Sequence, residues 1–181
     1  MPITIIVPEK DFYDPKANRF ITVKRTKLTL EHSLLSLSKW EMKWHKAYLS
    51  KEPKTEEQNL DYIRCMCLTE PNDPNVFYAL TTQNVKDIAA YISDPMTATT
   101  FNKQDKRPSR EIITNELIYF WMTSFNIPFD PCQKWHLNRL MTLIEVASIK
   151  NQPSKKMSKK DIYSRNAALN AQRRAKYGTR G

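Results

Sequence analysis

The chain has 181 residues, with 29 lysines and arginines against 19 acids, a formal charge of +10. Only two glycines occur, Gly178 and Gly181, which excludes the glycine-built phosphate loop, the dinucleotide fingerprint and the nucleophile elbow. No apolar run approaches the roughly 20 residues of a membrane span, and Met1 to Lys10 lacks the basic-then-apolar order of a signal peptide.

The charge is unevenly placed. From Lys150 to Gly181 there are ten bases against one acid, Asp161, so this segment holds +9 and residues 1–149 only +1. Such asymmetry marks a contact with nucleic acid, an anionic membrane or an acidic protein surface. Three cysteines, an odd number without framework spacing, point to a reducing compartment.

In chain order, Ile3 to Val7 reads as a strand stopped by Pro8, and Asp11 to Asn18 carries turn chemistry around Asp14 and Pro15. Residues 19–24 and 26–30 alternate apolar and polar, as half-buried strands do. The reading is a β-hairpin with room for a third short strand. The period then becomes helical: Leu34, Leu37, Trp40 or Glu41, Trp44 and Tyr48 predict a helix over 31–47. Lys51 to Lys54 is a loop. Thr55 and Gln58 form a capping-box pattern, after which Leu60, Ile63 and Cys67 share one helical face. Glu70 to Asn75 ends that helix, and a short turn of helix is expected at 75–80.

Thr82 is placed to cap the next helix, with Val85, Ile88, Ala89 and Ile92 inward, and Asp94-Pro95 stops it. Met96 to Pro108 reads as irregular. Ser109 then caps a helix over 110–125 with Ile113, Leu117, Phe120, Trp121 and Ser124 on one side. Asp130 with Pro131 opens a further helix running to about Lys150. Pro153 marks a boundary, and Ser158 with Asp161 opens a last helix over 159–177 that Gly178 closes. That helix is thin in apolar residues, so it buries little and is suited to forming fully on a partner. The expected class is α+β, mainly α. An N-terminal hairpin and a bundle of about five helices fill residues 1–150, and a basic helical arm fills 151–181.

Four groupings are chemical candidates. Cys132 and His136, at i and i+4 on the expected helix, could share a zinc ion. Cys65 and Cys67 point about 200° apart on a helix and cannot both join them easily. A Cys132–His136 nucleophilic pair lacks any oxyanion loop in the sequence, and packing is the better fit. His32 and His45 read as a near-cap and a helix-surface residue. The aromatics Trp40, Trp44 and Tyr48 suit a core, with part of the set open to a partner groove. The tail bases Lys155, Lys156, Lys159, Lys160, Arg165, Arg173 and Arg174 suit a solvated run, phosphate contact or an acidic protein partner.

Several blocks carry a resemblance. They are Leu30-Glu-His-Ser-Leu-Leu-Ser-Leu-Ser-Lys-Trp-Glu41 with Trp44, then Asp61-Tyr-Ile-Arg-Cys-Met66 and Asp94-Pro-Met-Thr-Ala-Thr99. Trp135-His-Leu-Asn-Arg-Leu140, Met157-Ser-Lys-Lys-Asp-Ile162 and Ser164-Arg-Asn-Ala-Ala-Leu-Asn170 complete the set. Together they resemble tail assembly chaperone-like proteins of long-tailed, siphovirus-type bacteriophages. The resemblance implies a non-enzymatic protein of the host cytoplasm, without cofactor or metal. It would bind the tape-measure protein and, in a longer frameshifted form, the tail tube subunit. A structural neck or tail component of the virion, and a phage protein that binds nucleic acid through the basic arm, are the alternatives. The oligomeric state is left open.

Overall fold

The alternation at the start of the chain builds one long antiparallel hairpin. The computed structural model describes residues 1–14, 18–69, 71–101, 111–152 and 159–178. Strands β1 (Ile3–Val7) and β4 (Thr26–Leu30) pair from Ile3 opposite Leu30 to Val7 opposite Thr26. Strands β2 (Lys10–Asp14) and β3 (Arg19–Val23) continue the same register from Lys10 opposite Val23 to Asp14 opposite Arg19. Two unpaired residues on each side separate the ladders. Pro8, which donates no backbone N–H, stands at that break. The stretches read as strands are β1, β3 and β4, whereas β2 is a fourth strand that occupies Asp11 to Asp14 where turn chemistry was read. Asn18 is left-handed at φ 50°, and its amide oxygen accepts from the Tyr13 hydroxyl. Pro15 lies outside the described residues.

Helix α1 (Leu34–Trp44) starts at Ser33. Ser33 and Ser36 form a reciprocal capping box that the sequence reading missed. It ends at His45, left-handed at φ 50°, so His45 is a C-cap rather than a helix-surface residue. Helix α2 (Glu56–Met66) begins as expected, with Thr55 accepting from the Gln58 N–H and Gln58 Oε1 accepting from the Thr55 N–H. A 3-10 helix (Pro74–Ala79) follows, and then α3 (Thr82–Ser93). Thr81, not Thr82, caps α3, because its hydroxyl reaches the Asn84 N–H. Val85 and Ala89 face solvent, while Asn84, Ile88 and Tyr91 are buried. On α2 the buried set is Gln58, Asp61, Tyr62, Ile63 and Met66, with Leu60 and Cys67 only half-buried.

Helix α4 (Asn115–Ser124) also starts later than expected, at Thr114, whose hydroxyl accepts from the Leu117 N–H. Its buried line is Asn115, Ile118 and Met122; Phe120 and Ser124 are exposed. The expected cap Ser109, the stretch 102–108, the boundary Pro153 and the cap Ser158 lie outside the described residues. The single helix expected from Asp130 is instead a one-turn α5 (Phe129–Cys132) and a long α6 (Leu137–Asn151). Asp130 has extended backbone, ψ 129°. Tertiary bonds hold the intervening chain: Leu35 N–H donates to Gln133 O at 3.4 Å, and Leu137 N–H to His32 O at 2.7 Å.

Two apolar clusters form the interior of Met1–Ser148, one of two compact units. The inward hairpin residues Ile5, Val7, Val23, Leu28 and Leu30 pack with Trp40, Tyr62, Met66 and Phe77 in the first. The second joins Leu34 and Leu37 to Ile118, Met122, Leu137 and Leu140. Helix α1 supplies both, so it is the wedge that the rest of the unit surrounds. Each fully buried aliphatic side chain here contributes about 2 kcal/mol of transfer free energy. The second unit, Ile149–Gly181, contains α7 (Lys159–Tyr177), which ends at Gly178, left-handed at φ 62°. The α+β, mainly α class expected from the periodicities is the one observed. Among the described residues no helix is long and apolar enough to cross a membrane.

Candidate functional site

The aromatic triplet expected to reach a partner is spent inside the body. Trp40 is fully buried, and its Nε1 donates to Gln58 O at 2.9 Å. Trp44 Nε1 donates to Asp61 Oδ2 at 2.9 Å, and Asp61 also pairs with Lys43. The Tyr48 ring stacks on Tyr62 with centroids 3.7 Å apart. The three residues lock α1 to α2; Trp40 is buried, while Trp44 and Tyr48 are half-buried.

The Cys132–His136 pair falls at the break between α5 and α6, not on one continuous helix. Cys132 is buried in the second apolar cluster. His136 forms a β-bridge with Ser33, and its Nε2 donates to Tyr91 O at 3.0 Å. No group of three His, Cys, Asp or Glu residues placed to hold a metal ion occurs among the described residues. Cys65 and Cys67 are half-buried. Burial, reinforced by the Asp61 carboxylate, pushes the Cys65 thiol up to about 11. Burial also raises Cys67, whose Sγ donates to Thr69 O at 2.9 Å. Both thiols are therefore neutral near pH 7 and weak nucleophiles.

A buried polar cluster lies where β4, α2, α3 and the start of α6 meet. The Tyr91 hydroxyl donates to Glu31 Oε1 at 2.5 Å, and His32 Nδ1 shares a 2.5 Å hydrogen bond with the Tyr62 hydroxyl. The rings of His32 and His136 meet edge to face, 5.1 Å between centroids. Nδ1 of His136 accepts from the Asn138 N–H at 3.3 Å, which places its proton on Nε2. Burial, then the charge of His136, lowers His32 to about 4, and burial lowers His136 too. Both imidazoles are thus neutral in the folded protein near pH 7. His32 is the near-cap residue that was expected, but it is also the centre of this cluster. Nothing in the spacing of Glu31, His32, Tyr62, Tyr91 and His136 brings them together; only the folded chain does.

Helix α7 carries the remaining candidates. None of its 19 residues is buried. Lys159, Lys160, Arg165, Arg173 and Arg174 all lie on it and are exposed, whereas Lys155 and Lys156 lie outside the described residues. Ile162 and Leu169, seven residues apart and so two turns along one line, are 43% and 41% exposed. Arg165, Arg173 and Lys176 flank that line at helical spacing. No family model matches the chain, and neither a curated protein nor a solved structure does.

Proposed function

We propose that the chain is a non-enzymatic assembly chaperone of the phage tail type, binding the tape-measure protein in the host cytoplasm. The observation that carries this reading is α7, a 19-residue cationic helix with no buried residue. A helix with so little apolar content does not gain its stability from burial within its own unit, and a partner supplies what is missing. The two-turn apolar line of Ile162 and Leu169, edged by bases, fits an acidic amphipathic helix better than a bare phosphate backbone. A tape-measure chain, long and mainly helical, offers such a surface until tube subunits enclose it.

Co-expression of the full chain with the tape-measure protein of the same phage tests the proposal. A soluble complex that survives affinity purification is the expected result. Independent elution of the two proteins, with the tape-measure chain insoluble in either case, would sink it.

A further inference from the structure

A cavity of about 560 Å³ opens beside the C-terminal half of α2 and is lined by Lys39, Lys43, Arg64, Cys65, Leu68 and Phe77, among others. Three bases meet one acid there, Asp61, among the described lining residues. That acid is already engaged: it is buried, paired with Lys43 and bonded to Trp44 Nε1. Lys39 and Arg64 are left to confer the charge.

Arg64 is held by aromatic rings. Its guanidinium lies over two rings, 5.5 Å from the Phe77 centroid and 5.1 Å from that of Tyr78. Stacking of this kind fixes the plane of the fork and leaves its N–H edge to form hydrogen bonds. Nε of Arg64 is buried and has no partner among the described residues. A planar acceptor engages two N–H groups of such a fork at once.

We infer that this cavity is a docking pocket for an acidic side chain of a protein partner, its carboxylate taken by Arg64 and Lys39. Its neighbouring apolar residue would lie on the exposed Leu68. Three observations favour a peptide carboxylate over a phosphate. The cavity has an apolar wall that a bare ion does not use, with Leu68 59% exposed. No glycine lies within 1–177, so no glycine-built nest of backbone N–H groups is available. The pocket also faces the last turn of α2, whose partial negative charge disfavours a dianion. The partner's identity rests on the chaperone reading; the binding chemistry does not.

The test uses the full chain and a short fluorescein-labelled helical peptide of alanine, leucine and glutamate, with its glutamine counterpart as control. Anisotropy should show binding of the glutamate peptide alone. Lys39→Gln and Arg64→Gln should each raise Kd about tenfold, the loss of one charge-assisted pair. Lys86→Gln, on the exposed face of α3, should leave Kd nearly unchanged. Lys39 is exposed, so its variant keeps the test meaningful if Arg64→Gln unfolds. Equal binding of the glutamine peptide, displacement by inorganic phosphate, or a Kd that neither Lys39→Gln nor Arg64→Gln moves would each overturn the inference. Should those results coexist with a tape-measure complex that still purifies, the pocket fails while the chaperone reading stands.

Discussion

Oε2 of Glu41 accepts from the backbone N–H of Asn115 at 2.8 Å and from its side-chain amide at 2.6 Å, across 74 positions of sequence. Its other oxygen accepts from the Tyr48 N–H at 2.7 Å. One buried carboxylate thereby closes the loop after α1 and sets the first turn of α4.

Removing that carboxylate strands two backbone donors. Glu41→Ala should lower unfolding stability by about 3 kcal/mol, and Glu41→Gln, which keeps one acceptor, by about half as much. Urea midpoints of the two variants against the parent check the order. A Glu41→Ala midpoint equal to the parent's would contradict the role assigned to this residue.

The two faces of the helices make opposite predictions for two aromatics. Trp40 is 1% exposed and Phe120 64%. Trp40→Ala should cost about 4 kcal/mol through lost burial and a residual cavity. Phe120→Ser should stay within about 0.5 kcal/mol. Thermal melts of both decide it; a large loss at Phe120 would mean that the exposed face of α4 is packed in solution.

Acid should weaken the fold through His32. Its folded-state value, about 4, lies below the ordinary 6.5, so the unfolded chain binds the proton more tightly. The associated stability is intact above pH 6.5, falls as pH drops through the window, and is lost below about 4. The drop is about 3 kcal/mol, to which His136 adds in the same direction. Denaturant titrations across the window, repeated on His32→Gln, measure it. The variant's stability should change less with pH than the parent's, and identical slopes would rule out His32 as the cause.

Truncation after Asn151 removes α7 and leaves Met1–Ser148, with its own two apolar clusters. The shortened chain should melt at the temperature of the parent and lose most of its hold on the tape-measure protein. A fall of many degrees would show that the arm stabilises the body. Full retention of the complex would move the partner contact off α7.

Local chemistry made much of this protein legible. The capping box of Thr55 and Gln58, the positive φ of Gly178 and the span of α7 follow from neighbours within a few residues, and each occurs where the spacing placed it. The strand over Ile3 to Val7 and the mainly α class were readable for the same reason: a period of 2 or 3.6 is a local property. The charge asymmetry that singles out the arm needed no fold at all.

Long-range bonds settled the rest. Asp130 and Pro131 carry a sound helix-start signal, yet Gln133 and Leu137 are claimed by backbone partners at Leu35 and His32, and the helix waits until Leu137. Glu41 decides where α4 begins, and the hairpin register brings Asp11 to Asp14 into a strand. Trp40, Trp44 and Tyr48 find their bonding or stacking partners on α2, at Gln58, Asp61 and Tyr62. The buried histidines and the Lys39–Arg64 pocket exist only because separate elements converge. What a few consecutive residues could satisfy among themselves was readable along the chain. Tertiary structure decided every case in which a buried donor, acceptor or ring found its partner far along the chain.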